Sequence, residues 1–131
     1  MEYSKEVNNK LTERLRELLD ELPPFCKEFF RASANSRLIR TRVAYAYDLK
    51  VFFKYLTEEN DKFMGRSIKS LTTADLEEIK AADIDDFLDY VTYYQNENEL
   101  GKELDRTNDE KGKSRKLAAV RSMLKHSTRG R

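Results

Sequence analysis

Basic side chains recur at helical spacing along the segment from Ser36 to Leu56. On a wheel of 3.6 residues per turn they share one arc, and the opposite arc is apolar. An outward face with cations and aromatics but almost no acid suits a polyanion such as DNA better than it suits water. The outward arc carries Arg37, Arg40, Lys50 and Lys54, with Tyr47, Val51 and Tyr55 among them, and Thr41 adds a hydroxyl in the first turns.

A second basic segment closes the chain, KGKSRKLAAVRSMLKHSTRGR. Its hydrophobic spacing predicts a helix from about Ser114 to His126, with small residues at Ala118, Ala119 and Ser122 on the outward side. Small side chains would let the helix backbone approach a groove while cations flank it. The candidate DNA-contacting residues of this segment are Lys113, Ser114, Arg115, Arg121 and Lys125.

The net charge of +1 conceals three segments of different sign. Residues 1–56 hold 11 basic and 8 acidic residues, residues 57–110 hold 6 and 16, and residues 111–131 hold 8 and none, giving balances of +3, −10 and +8. A nucleic acid would meet the first and last segments if the fold brings them to one side. Alternatively, the basic C-terminal helix pairs with the acidic middle of the same domain.

Other chemistry finds little support in the sequence. A lone Cys26, without zinc-ligand spacing nearby, indicates a buried thiol in a reducing, cytoplasmic setting. His126 has no implied nucleophile partner, and no phosphate loop or dinucleotide motif occurs. The acidic residues between Asp75 and Asp89 fall mostly at predicted helix starts, where carboxylates cap and favour the dipole. We therefore expect no catalytic residue, metal or cofactor in this chain, and neither a membrane span nor a small-molecule substrate.

Six helices are predicted to position the basic residues. They fall at about 5–22, from Pro24 to about Ser33, from 36 to about 58, near 73–80, near 83–95 and near 114–126, with no strand pattern. Asn35 or Ser36 is the predicted cap of the third helix, and Thr72 and Asp75 have capping-box spacing. Arg42 falls inside the apolar arc of the third helix, so it must extend to solvent, pair with an acid or reach along a neighbouring helix. Residues 96–112 are predicted to form a loop.

Three segments resemble one known family. TRVAYAYDLKVFFKYL, LTTADLEEIKAADIDDFLDYV and KSRKLAAVRSMLKH are similar, in this order, to helices of the N-terminal core-binding domain of tyrosine recombinases, the phage-integrase family. The likeness covers roughly residues 24–128. It implies an all-α, orthogonal four-helix SAM-like bundle that grips one side of double-stranded DNA and meets other recombinase protomers there.

The resemblance also sets the expected domain organisation. Residues 1–22 would be an extra N-terminal helix, 23–128 the DNA-binding domain and 129–131 the start of a linker to a catalytic domain. In that family the second domain carries the catalytic Arg, Lys, His and nucleophilic Tyr, so this segment would bind DNA for recombination or integration without catalysing it. The alternative is a non-catalytic helical module that docks on an acidic protein partner; such a module should expose a contiguous apolar groove.

Overall fold

Helices α3 and α6 are the elements against which the other helices pack. The computed structural model describes residues 2–98 and 110–128, and in these ranges it contains helices but no strand. The predicted all-α class is therefore confirmed. The helices are α1 Glu2–Glu21, α2 Phe25–Ala32, α3 Ile39–Glu59, α4 Thr73–Leu76, α5 Ala81–Asn98 and α6 Glu110–Thr128, with a 3-10 turn at Ile68–Ser70.

The core lies where α3 meets α1 on one side and α5 and α6 on the other. Phe52 and Phe53 of α3 are fully buried, and the ring of Phe52 meets that of Phe87 on α5 edge-on, with centroids 5.0 Å apart. Leu18 of α1 and Met123 of α6 are also fully buried. Burying large apolar side chains from four helices in one cluster fixes how these helices are arranged.

The break between α1 and α2 occurs at Pro23–Pro24, as predicted. A proline cannot donate the backbone hydrogen bond that would continue α1, but its fixed φ suits a helix start. Pro24 precedes the first residue of α2 with a φ of −55°, and the Cys26 amide donates to the Pro23 carbonyl at 3.0 Å. Cys26 is buried, and burial raises the pKa of its thiol. The prediction of a buried thiol is confirmed.

The connection from α3 to α5 is held by three local devices. Gly65 has a φ of 90°, which non-glycine residues rarely adopt, and its amide donates to the Thr57 carbonyl at 3.0 Å. Thr72 and Asp75 form the predicted capping box at the start of α4. Asp83 accepts from the Lys80 amide at 2.7 Å. These two aspartates act structurally, as their positions at helix starts indicated.

Two predictions about the start and face of α3 are wrong. Neither Asn35 nor Ser36 caps the helix; Leu38 occupies the cap position, and no side chain bonds to the cap. Leu38 therefore precedes the helix, and it is 76% exposed. Tyr55, expected on the outward face, is buried because it packs against the Phe87 and Tyr90 rings of α5.

Helix α6 begins earlier than predicted, and one of its small residues turns inward. It starts at Glu110, so both ends of the predicted 96–112 loop belong to helices, while residues 99–109 lie outside the described residues. Ala119, expected to face outward, is fully buried, whereas Ala118 is exposed. The proposed linker at 129–131 also lies outside the described residues.

Candidate nucleic-acid interface

Polar contacts join α6 to α3 at one place and to the segment just before α3 at another. At the first place, which we call the closed end, the Asp48 carboxylate of α3 is 1% exposed. Arg115 binds it with two hydrogen bonds, from Nε at 2.8 Å and Nη2 at 2.9 Å, and Lys116 Nζ lies 3.4 Å away. A planar guanidinium matches a carboxylate in this geometry, and two cations compensate one buried acid. The closed end therefore fixes α6 against α3.

At the other place, which we call the cleft end, Arg37 meets the last turns of α6. Its Nη2 donates to Ser122 Oγ at 3.4 Å, and its guanidinium carbon lies 5.1 Å from the centre of the Tyr45 ring. A cleft of about 370 Å³ opens beside this contact, with Phe29 and Ala32 of α2 in its wall. Its polar wall is formed by Ser33, Ser36, Arg37, Ser122, Lys125 and His126.

A second cavity, of about 660 Å³, adjoins the cleft because Ser36 and Arg37 line both. It extends towards Asn8 and Thr12 of α1 and adds Arg40 and Arg42. Among the residues lining these two cavities there is no Asp or Glu. The structure therefore forms a concave basic strip from α1, across the start of α3, to the end of α6.

The outer face of α6 continues this strip. Ser114, Ala118, Arg121 and Lys125 are all exposed, and their spacing of three or four residues places them on one side of the helix. Lys125 lies in the cleft with Arg37, so the exposed face of α6 runs on from the cleft end. Arg121 and Lys125 are thus exposed on the same side of α6, and Lys125 also lines the cleft.

Not all candidate residues lie on the basic strip. Lys50 turns towards α1, where its Nζ lies 2.9 Å from Glu21 Oε1. Arg115 is engaged by Asp48 at the closed end, and Lys113 lies 3.7 Å from Glu110 of its own helix. Lys54 is exposed farther along α3, and Thr41 is half-buried in its first turn. The structure places Arg37 with Lys125 in one cavity and with Arg40 in the adjoining one, and Arg121 is exposed on the outer face of α6.

The basic C-terminal helix pairs with a buried acid that the sequence analysis did not single out. Arg115 and Lys116 bind Asp48, on α3. Part of the acidic segment 57–110, residues 99–109, lies outside the described residues. Sequence reasoning missed Asp48 because the basic residues of this helix drew attention to its outward face. The available signal was one aspartate within an otherwise aromatic and aliphatic stretch.

The sequence analysis also missed His126 as a site residue, and it did not decide among three possible environments for Arg42. His126, set aside as isolated, packs its ring 5.7 Å from that of Phe29 and lines the cleft. Its place four residues after Ser122, on the same helix face, was the available signal. Arg42 reaches the neighbouring helix: its Nη2 donates to the Phe30 carbonyl at 3.1 Å, and burial lowers its pKa.

Residues 2–98 and 110–128 contain neither a cluster of metal ligands nor a helix that could span a membrane. No group of three or more His, Cys, Asp or Glu side chains in these ranges could hold a metal ion. None of the helices in these ranges is both long and apolar enough to cross a bilayer.

Comparison with known proteins shows that the chain is similar to a tyrosine recombinase. The chain is 28% identical over 110 residues to tyrosine recombinase XerC of Caldanaerobacter subterraneus subsp. tengcongensis. The match covers 79% of this chain but 29% of that recombinase, so the chain spans less than a third of its length. No family model matches the chain, and no solved structure matches it.

Proposed function

We propose that this chain is a DNA-binding domain of a site-specific tyrosine recombinase, and that it clamps one side of the duplex. The duplex would lie along the basic strip from the start of α3 to the end of α6. Arg37, Arg40, Arg121 and Lys125 are the proposed contacts, with Thr41, Ser114 and Lys54 at the margins. Most would bind phosphates and fix the position of the protein, since phosphate contacts dominate such interfaces.

The observation that carries the proposal is the contact between Arg37 and Ser122. It joins the segment just before α3 to α6, so that two cations far apart in sequence, Arg37 and Lys125, line one concave surface. A surface with cations and no acid among its lining residues attracts a polyanion and releases its counterions. The sequence similarity to a tyrosine recombinase supports the same conclusion from an independent direction.

The proposal is tested by the salt dependence of duplex binding. We expect the chain to bind a labelled duplex weakly, with a Kd of about 10⁻⁴ to 10⁻⁶ M at physiological salt. Arg40→Ala and Arg121→Ala should each weaken binding and reduce the slope of log Kd against log salt concentration by about one. Fluorescence anisotropy over a range of salt concentrations measures both quantities.

Two exposed cations serve as matched controls. Arg31 lies on α2, pairs with Glu28 at 3.2 Å and is not among the residues that line the cleft or the second cavity. Lys69 is exposed in the acidic middle segment. Arg31→Ala and Lys69→Ala should leave affinity and slope close to the wild-type values. Equal losses in all four variants, or no association with any duplex at low salt, would contradict the proposed surface.

We also propose that the whole protein performs strand exchange with catalytic residues outside this segment. In the family that the sequence resembles, a second domain supplies the catalytic Arg, Lys, His and nucleophilic Tyr. None of the tyrosines of this chain would then act as the nucleophile. Incubated with duplex DNA and separated under denaturing conditions, this chain should give no covalent protein–DNA adduct; an adduct would refute this assignment.

The competing proposal, a docking module for an acidic protein, lacks its expected signature. Among the residues described, the large hydrophobic side chains that are exposed are Leu38, Tyr47 and Met64. They lie at the start of α3, in its middle and in the turn after it, and Tyr47 accepts a hydrogen bond from Arg14 Nε at 2.9 Å. Three separated side chains do not form the contiguous apolar groove that such a module would use.

A further inference from the structure

We infer that the cleft end is a seat for a single phosphate group, and that it anchors one backbone phosphate of the duplex. This inference rests on the proposed function and deepens it, because it separates one built pocket from the open part of the basic strip. The pocket is formed by three elements: the end of α2, the segment before α3 and the last turns of α6.

The donors of the pocket are held in place before any ligand arrives. Arg37 lies over the Tyr45 ring and bonds to Ser122, and the His126 ring packs against Phe29. Stacking on an aromatic ring restricts the guanidinium, so less rotamer entropy is lost when an anion binds. Ser122 engages one of the five N–H donors that a guanidinium carries.

The hydrogen bonds already present in the pocket are easily exchanged. Arg37 Nη2 to Ser122 Oγ and Ser36 Oγ to the Ser33 carbonyl both measure 3.4 Å, beyond the usual range for strong hydrogen bonds. A phosphate oxygen can replace these contacts with shorter, charge-assisted bonds. Lys125 then adds a second positive charge, and no carboxylate among the lining residues opposes the ligand.

The chemistry of the wall selects an oxyanion with several acceptor oxygens. Two cationic side chains and three serine hydroxyls provide donors in several directions, and the cleft of about 370 Å³ is ample for one phosphate. The same chemistry would accept a free phosphate ion as well as a backbone phosphodiester. A phosphate bound there would also bridge the end of α2 and the segment before α3 to the end of α6.

Arg37→Lys is the decisive variant because it keeps the charge and removes the planar fork. We expect it to weaken duplex binding about fivefold, or about 1 kcal/mol at 1.4 kcal/mol per tenfold, with an unchanged salt slope. Ser122→Ala should weaken binding about twofold, also without a change in slope. Arg31→Lys is the matched control and should have no effect, and thermal melting confirms that each variant is folded.

The second experiment is a titration of the chain with inorganic phosphate at constant ionic strength. Backbone amide chemical shifts report the binding. Perturbations are expected at residues 36–37 and 122–126 of the wild type, and they should be lost in Arg37→Ala. If phosphate perturbs these amides but Arg37→Lys and Ser122→Ala leave duplex binding unchanged, the pocket binds free phosphate and the assignment to the DNA backbone is overturned.

The remaining outcomes separate the seat from the proposed function. If Arg40→Ala and Arg121→Ala weaken duplex binding while phosphate perturbs none of the pocket amides and Arg37→Lys binds normally, the seat is refuted and the DNA surface stands. If the wild type binds no duplex at low salt, the proposed function fails instead, whatever the phosphate titration gives.

Discussion

The closed end and the cleft end use the same kinds of residue for different purposes. At the closed end, Arg115 and Lys116 surround a buried carboxylate, and the charges compensate one another. At the cleft end, Arg37 and Lys125 meet serine hydroxyls and aromatic rings, and the lining residues include no acid. One aspartate thus decides whether paired cations hold two helices together or remain available to a ligand.

Replacing Asp48, the buried acid of the closed end, should cause the largest loss of folding stability. Asp48→Asn keeps the shape of the side chain but removes a buried negative charge that lies 3.4 Å from Lys116 Nζ and is bound by Arg115. Breaking a buried ion pair from one side costs about 3 to 5 kcal/mol, so we expect the free energy of unfolding to fall by about 3 kcal/mol. Urea denaturation measures the change.

Lys116→Met is the control for this experiment. Asp48 keeps its two hydrogen bonds to Arg115, and a thioether of similar length fills the buried space, so the loss should stay under about 1.5 kcal/mol. If Lys116→Met destabilises the fold as much as Asp48→Asn does, the closed end depends on packing more than on charge compensation.

An acid placed at the cleft end should pair with its cations, as Asp48 does at the closed end, and make them unavailable to DNA. In Ser122→Asp the new carboxylate can bind Arg37, which now donates to the hydroxyl of Ser122. Duplex affinity should then fall by about tenfold or more, since one phosphate contact is lost and a repelling charge is added. The thermal midpoint should change little.

Ser67→Asp is the matched control, because Ser67 is exposed just before the 3-10 turn, within the acidic segment. It adds the same charge away from the basic strip and should leave duplex affinity close to the wild-type value. Equal weakening by both substitutions would mean that net charge, and not the cleft, governs binding.

Replacing Asp83, a partly buried acid at the start of α5, should cause a smaller loss of folding stability that depends on pH. Burial raises the pKa of Asp83, but hydrogen bonds from Lys62, the Lys80 amide and Asn60 outweigh it, and the net pKa is lowered. A lowered folded-state pKa stabilises the fold above the unfolded value of about 3.9, and this stability is lost as the pH falls through the folded-state pKa.

Asp83→Asn should therefore be about 1 kcal/mol less stable than the wild type at pH 7. The difference should shrink as the pH falls below the unfolded-state pKa of about 3.9 and through the lowered folded-state pKa, where the wild-type carboxylate gains its proton. Urea unfolding at pH 7, 4 and 2.5 measures it. A difference that stays constant with pH would show that the carboxylate charge contributes nothing.

The sequence was a good guide to the elements and a poorer one to their polar contacts. Helical spacing and the Pro23–Pro24 break identified the helices, because hydrophobic periodicity and proline act locally. The placement of Tyr55 and Ala119 depended on which neighbour each helix packs against, and the wheel of a single helix does not contain that information.

For the basic surface, too, the sequence identified candidate residues but not the partners that they contact. Residue type and spacing singled out Arg37, Arg40, Arg121 and Lys125, but equally Lys50 and Arg115, which the fold directs to Glu21 and Asp48. Only tertiary structure distinguishes a cation that meets an acid from one that meets a hydroxyl. His126 became a candidate once Phe29 and Arg37 were seen beside it.

The most direct test of the account is a titration of the isotope-labelled chain with a short duplex, followed by backbone amide shifts. We predict perturbations at residues 36–41 and 121–126 that develop together with one midpoint, because both helices would contact the same duplex. Perturbations confined to one of these two helices, or centred on the acidic residues of α4 and α5, would contradict a single DNA-binding surface.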